Sequence, residues 1–164
     1  MRTGWCYTMD KEAFGAQAMA MRDTLYRVSA TLLRREADRE DAVAEAIAKA
    51  LVKLPGLRNP EAFPAWMVRI LINECYNIIR RNKREIAVEQ VPDVYFAPEE
   101  SRELYRAFHA REEKYRLPRV LYYVEGYSVE EVARMLRRPE GTIKSQLMRG
   151  RRMLRETLDG EVSV

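Results

Sequence analysis

An all-α fold of two small helical domains joined by a flexible linker is what the sequence predicts, on three observations. Apolar residues recur at helical spacing along most of the chain. Sustained period-two alternation and Asn-Gly hairpin signals are missing. The glycines and prolines are few, seven of each in 164 residues, and they gather at joints rather than inside the periodic segments.

Taken in order, residues 1–8 read as a leader without structure. Asp10 is placed to cap a helix running toward Arg34, with Leu25, Val28 and Leu32 on one side. In "DREDAVAEAIAKALVKL" the spacing of Val43, Ile47, Leu51 and Leu54 predicts one buried stripe, while Glu45, Lys49 and Lys53 share another face suited to i,i+4 pairing. Pro55-Gly56 ends that helix. Asn59 and Pro60 are suited to the N-cap and first position of the next one, with Pro64 still inside its first turn. That helix is amphipathic. Phe63, Met67, Ile70, Leu71, Cys75 and Ile78 form its apolar side; Arg69, Asn73, Tyr76, Asn77, Arg80 and Arg84 lie opposite, so its wet face becomes basic toward the end. Trp66, spaced with Phe63 and Ile70, reads as core. "IAVEQVPDVYFAPEE" then breaks the pattern with two prolines and scattered acids, which predicts domains over 9–85 and 99–158 with a linker over 86–98. In the second block Pro118 kinks or breaks a helix, and Gly126 ends it.

Composition excludes several function classes. Lys+Arg exceed Asp+Glu by only 29 to 25, for a net charge of +4, but the charges are sorted: acids over Glu36–Asp41, bases over Arg80–Arg84 and again over Arg137–Arg155. Separate acidic and basic faces suit contact with both a basic protein surface and a polyanion. Cys6 and Cys75 lie far apart and His109 is the only histidine, so neither a disulfide framework, a zinc site nor a histidine relay is implied, and no cofactor is expected. The longest apolar stretch, "FPAWMVRILI", is interrupted by Arg69 and too short to span a bilayer. A cytoplasmic, reduced setting is expected, with no membrane insertion and no small-molecule substrate; an enzyme is the weakest option, because no nucleophile–base pair or phosphate loop is visible.

The most informative stretch is "EGYSVEEVARMLRRPEGTIKSQLMRGRRMLRETL". Ser128 and Glu131 form a capping box, Val132, Ala133 and Leu136 face inward, and a turn over Arg137–Pro139 leads into a second helix. Ile143, Leu147, Gly150 and Leu154 make its packing stripe, with Gly150 permitting close approach. Thr142, Ser145, Gln146 and Arg149 project the other way. Gln and Arg make paired hydrogen bonds to base edges in a major groove, and Lys144, Arg151, Arg152 and Arg155 flank them within reach of phosphates. Seven bases and one acid lie between Arg137 and Arg155. A merely solvated helix would mix its signs to gain i,i+4 pairs. The sorting favours a helix-turn-helix that reads duplex DNA over a helix pair with a merely solvated, charged exterior. Tyr122, Tyr123 and Tyr127, at helical spacing, read as packing residues with wet hydroxyls.

The acidic block "DREDAVAEAI", the Trp-containing basic helix "FPAWMVRILINECYNIIRR", the linker and the helix-turn-helix, in that order over about Met9 to Leu158, resemble an extracytoplasmic-function sigma factor of bacterial RNA polymerase. The resemblance implies a region 2-like helical bundle and a region 4-like helix-turn-helix domain, directing promoter recognition and transcription initiation. It implies that Asp38, Glu40, Asp41 and Glu45 dock on the polymerase core. It further implies that Arg58, Asn59, Asn73, Asn77, Arg80, Arg81 and Arg84, with Lys83, read and hold melted DNA at the −10 element. Thr142, Lys144, Ser145, Gln146, Arg149 and Arg152 would then read the −35 element. Promoter DNA, core polymerase and an anti-sigma factor are the implied partners. The chain departs from the family pattern at Ala44 and Ile47 on the acidic helix, at Arg111-Glu112, and at Leu136-Arg137-Arg138, where a glycine is usual; there the turn is either reshaped or its arginines add phosphate contacts. Two other readings stay open on the residues alone: a stand-alone helix-turn-helix regulator, and a helical adaptor whose basic faces never meet DNA.

Overall fold

The computed structural model describes residues 9–88 and 114–161, with backbone alone for 85–88, 154 and 157–161. The expectations for Met1–Thr8, Cys6, His109, Arg111-Glu112 and most of the linker lie outside the described residues. The described residues are helical and carry no strand. The chain divides into two compact units, Met1–Lys83 and Arg84–Val164.

The first unit starts at α1 (Lys11–Ala20), capped by Asp10, whose carboxylate accepts from the Ala13 N–H at 2.8 Å. The single helix expected as far as Arg34 is bent instead. Met21, at φ −89° and ψ 0°, separates α1 from α2 (Arg22–Leu32), although Met21 N still donates to Gln17 O and Leu25 N to Met21 O. The bend lets both halves reach α3 (Glu36–Lys53). At the next corner Arg39 donates from Nε to Leu33 O at 2.8 Å and from Nη2 to Arg34 O at 3.0 Å, satisfying carbonyls that the end of α2 leaves open.

On α3 the buried stripe is not the one the spacing predicts. Ala42, Val43, Ala46, Ala50 and then Leu54 are buried, Ile47 is half-buried, and Leu51 is exposed. Three alanines let α3 lie close against its neighbours, and that closeness, not side-chain size, selects the buried face. A 3₁₀ turn (Leu54–Gly56) ends α3, and a second (Pro60–Ala62), capped by Asn59 Oδ1 accepting from Glu61 N at 3.0 Å, leads into α4 (Phe63–Val88). All six predicted apolar residues of α4 are buried. Phe63 packs edge-on against Phe14 with centroids 5.6 Å apart, and Trp66 leans on Phe63 at 6.0 Å, half-buried. Helix α4 continues through Val88, so residues 86–88 of the expected linker are helical.

In the second unit, α5 is described from residue 114 to 124. Pro118 is fully buried within it and does not end it; the next turn, Val120–Val124, widens to π geometry, with Glu125 N donating to Val120 O at 3.0 Å. A proline lacks the N–H that would hold the preceding turn, and a wider turn is one way to restore the ladder beyond it. Gly126, at φ +77°, ends the helix. Helix α6 (Val129–Leu136) and α7 (Glu140–Glu161) pack on each other, with Leu121, Val132, Ala133, Met135, Ile143 and Leu147 buried. Leu136 is half-buried, and Met135 takes the inward place beside it. Tyr122 and Tyr123 are exposed rather than packed inward, and their rings meet edge-on at 4.9 Å. No helix of the described residues is long and apolar enough to cross a membrane.

Candidate nucleic-acid interface

The local chemistry of the helix-turn-helix is complete. Ser128 Oγ accepts from Glu131 N at 3.2 Å, and the Glu131 carboxylate in turn accepts from Ser128 N at 2.8 Å. At the other end of α6, Arg137 adopts the left-handed conformation, φ 52° and ψ 48°. The turn is therefore not reshaped: the arginine is held where glycine would be easier. Arg138 N donates back to Ala133 O at 3.0 Å, closing the six-residue ring that a left-handed cap creates. The α6–α7 angle is set by this cap and by burial of Ile143, Leu147 and Gly150, which turns the opposite face of α7 outward.

On that face Thr142, Lys144, Arg149 and Arg152 are exposed, and Ser145 is half-buried with its hydroxyl donating to Thr142 O at 3.3 Å. Gln146 departs from the expectation that it projects fully outward. It is half-buried, and its Oε1 is buried with no hydrogen-bond partner. Its direction along α7 lies between the packed stripe and the wet face, so its side chain is only partly available for a base edge. Lys144 and Arg152 have intrahelical acid partners, Glu140 at 3.6 Å and Glu156 at 3.5 Å. The signs are thus more mixed than the sequence count suggests, but these exposed pairs are weak and readily exchanged for phosphate. The Tyr115 hydroxyl on α5 sits below its usual range, chiefly through a hydrogen bond from Lys114, with burial opposing and a bond from Arg149 adding.

Along α4, Asn73, Asn77, Arg80 and Arg84 follow one another and all are exposed, as is Arg69. Arg58 is exposed in the loop before α4, and Asn59 spends its side-chain carbonyl on its cap. Arg81 is exposed but lines a groove of about 730 Å³ between α3 and α4, with Asp41, Glu45, Lys49, Glu74 and Asn77. The acidic quartet does not act as one set. Glu40 and Asp41 are exposed. Asp38 is half-buried and accepts from Asn82 Nδ2 at 3.1 Å, tying the start of α3 to the far part of α4. Glu45 pairs with Lys49 at 3.3 Å.

Sequence reasoning missed Glu74. It is buried, yet it is the one acid among residues 63–84, in a stretch that is otherwise apolar, basic or neutral polar. Its carboxylate binds Lys49 Nζ at 2.7 Å. The hydrogen bond to Glu74 is the main reason the Lys49 ammonium is held above its ordinary range; burial works against it and Glu45 reinforces it. A lone acid in such a helix was the available signal. Cys75 beside it is a free thiol, fully buried, and burial pushes it up to about 12.

Comparison with known proteins agrees with this layout. Residues 18–85 match the family model of Sigma-70 region 2, and residues 102–154 that of Sigma-70, region 4. The chain is 29% identical over 155 residues to the ECF RNA polymerase sigma factor SigM of Mycobacterium tuberculosis, covering 91% of this chain and 79% of that protein. It is 28% identical over 169 residues to the ECF RNA polymerase sigma factor SigW of Bacillus subtilis, covering 91% and 90%. Among solved structures, the sigma factor RpoE of Bartonella quintana, in complex with the anti-sigma factor NepR, shares the fold with a TM-score of 0.72 at 24% identity, over 90% of this chain and 98% of that one. Two sigma regions in the order of the two helical units, each ending in a basic helix, place this chain in the extracytoplasmic-function sigma factors of RNA polymerase.

Proposed function

We propose that this chain is a dissociable, cytoplasmic specificity subunit of RNA polymerase that divides promoter recognition between its two units. The acidic side of α3, through Glu40, Asp41 and Glu45, docks on the core enzyme. The exposed face of α4, with Arg58 and Asn59 before it, holds the non-template strand of a melted −10 element. The outer face of α7 reads the −35 element as duplex. The observation that carries the reading is the exposure of Thr142, Arg149 and Arg152 on the side of α7 opposite its buried stripe, together with a second exposed basic row on α4.

The mechanism is differential binding. Arg149 and Gln146 discriminate base edges, while Lys144, Arg151 and Arg152 hold the backbone. Unstacking a base costs a few kcal/mol. Asn73 supplies an amide to replace the lost base hydrogen bonds, and Arg80 and Arg84 hold the flanking phosphates. Catalysis of nucleotidyl transfer belongs to the polymerase; this chain contributes affinity. With two modest interfaces, seating one unit raises the effective concentration of the other. An anti-sigma protein that covers the same faces is the expected antagonist, in keeping with the complex of RpoE with NepR.

The test is transcription in vitro with core polymerase across a promoter library. The expected result is specific initiation from promoters sharing two separated elements. Tight, sequence-specific binding by the isolated chain without polymerase, or a stable homodimer in the analytical ultracentrifuge, would favour a stand-alone regulator instead.

A further inference from the structure

We propose that Lys49 and Glu74 are positioning residues that transmit polymerase docking on α3 to the DNA face of α4. The inference rests on the reading of those two faces given above.

The observation is an unbroken polar chain across the two helices. Glu45 Oε1 meets Lys49 Nζ at 3.3 Å; Lys49 Nζ meets Glu74 Oε2 at 2.7 Å. The same Glu74 oxygen accepts from Asn77 Nδ2 at 3.2 Å, and Asn77 Oδ1 in turn accepts from Arg80 Nη2. One end, Glu45, is on the docking face; the other, Asn77 and Arg80, is on the strand-reading face. In the middle, the Glu74 side chain is only 9% exposed, and that of Lys49 is 39% exposed.

The chain fixes directions. Asn77 has its amide nitrogen toward Glu74 and its carbonyl toward Arg80, so it cannot flip without breaking two bonds. Arg80 is held through one nitrogen and keeps other N–H donors for phosphate. Asn77 is thus an orienter of Arg80, and Glu74 an orienter of Asn77. A plain staple between α3 and α4 does not account for this arrangement, because an ion pair whose lysine side chain is 39% exposed adds little to stability. What the charges add is orientation. Glu45 also shares the Lys49 ammonium. When a basic surface of the polymerase takes the Glu45 carboxylate, the ammonium is left to Glu74 alone, and the Glu74–Asn77–Arg80 end tightens. Docking then orders the reader before DNA arrives.

The experiment uses the full chain assembled with core polymerase and a fork-junction DNA whose sequence the wild-type holoenzyme has selected from a library. Glu74→Gln and Asn77→Ala are compared singly and together, with core affinity measured by competition. Glu74→Gln is expected to weaken fork-junction binding about tenfold while changing core affinity less than about twofold, the size of one lost charge-assisted hydrogen bond. In the Asn77→Ala background Glu74→Gln adds nothing further. The apolar pair Lys49→Met/Glu74→Met keeps the volume without the charges and shows the same loss, so a folding defect in the single variant leaves the test intact. Additive losses in the double variant, or a fall in core affinity that matches the fall in DNA binding, reduce Glu74 to a staple and overturn the assignment. Variants that bind the fork junction as wild type does overturn it too. A wild-type holoenzyme that selects no DNA overturns the sigma reading along with this one, whereas successful selection with unaffected variants overturns this one alone.

Discussion

Arg119 lies across the backbone of Gly150: its Nη1 donates to the Gly150 carbonyl at 3.2 Å, and a Cβ at residue 150 would stand 2.9 Å from Arg119 Cδ. A glycine inside a helix costs about 1 kcal/mol relative to alanine, so its place on α7 is explained by what crosses it. Gly150→Ala gains that propensity and forces Arg119 aside, at a loss of about 0.5–1.5 kcal/mol for the hydrogen bond. The two effects cancel to within about 1 kcal/mol. Gly150→Leu has no such offset and is expected to destabilise the second unit by about 2–3 kcal/mol through overpacking, read by urea unfolding of the full chain. In an Arg119→Ala background the cost of Gly150→Leu shrinks. An undiminished cost there would show that Arg119 is not the obstacle.

Arg137 is the positive-φ non-glycine among the described residues, and it sits in the turn that sets the α6–α7 angle. Arg137→Gly removes the left-handed strain and adds backbone entropy to the unfolded chain. The net expectation is a gain of about 0.5–1 kcal/mol, measured as a higher urea midpoint with an unchanged slope. If the retained arginine instead serves DNA, the same variant weakens promoter binding and flattens its dependence on salt, by about one phosphate contact. Loss of stability in Arg137→Gly would contradict the strain.

Gln146 carries a buried side-chain oxygen without a hydrogen-bond partner, on the helix proposed to read the −35 element. Gln146→Met, of similar shape, is expected to leave stability unchanged or raise it by about 1 kcal/mol. The same change relaxes discrimination at one base pair of the −35 element by about 1–3 kcal/mol, as does Arg149→Ala at its own base pair. Lys144→Ala should instead weaken all sequences alike. Base-by-base competition with the holoenzyme separates the patterns; identical selectivity profiles for wild type and Gln146→Met would remove Gln146 from the reading set.

Cys75 is buried against the core with its thiol pushed up to about 12 from an ordinary 9.0. In a Cys6→Ser variant, where Cys75 is the one thiol left, the folded chain at pH 8 is expected to resist thiol-specific reagents and to react at once in denaturant. The sign of the alkaline response follows. Between pH 9 and about 12 the unfolded chain loses this proton while the folded chain keeps it, so stability falls as pH rises through that window, by at most roughly 1.4 kcal/mol per unit. Tyr127, pushed up to about 12 mainly by burial, gives the same direction in the second unit above its ordinary 10.0. Urea midpoints that stay level from pH 9 to 11 would contradict both.

Much of this was legible in the residues because periodicity and capping are local. Asp10, Asn59 and Ser128 act as caps where their side chains have a backbone N–H two or three residues on, and no distant contact is needed for that. The apolar side of α4 was equally readable, since large residues at helical spacing leave one way to pack. On α3 the same reasoning slipped by a fraction of a turn. Small alanines and larger aliphatics both offered a stripe, and the closeness of α1 and α2 decided between them. The tyrosines before Gly126 were misjudged for a related reason: the π turn after Pro118 rotates the α5 surface relative to an ideal helix, and Tyr122 and Tyr123 come out into solvent.

By itself, then, the sequence determined where helices start and stop, which charges gather on α4 and α7, and the two-region order that marks the family. These depend on neighbours within a few positions. Tertiary structure alone decided how individual polar groups are used. It set Asp38 on Asn82, Glu74 between Lys49 and Asn77, the Gln146 oxygen inward, and Arg119 over Gly150. Each of these joins, or turns on, side chains set by packing between helices, and the distance and burial that give them their energy exist only once the helices have packed.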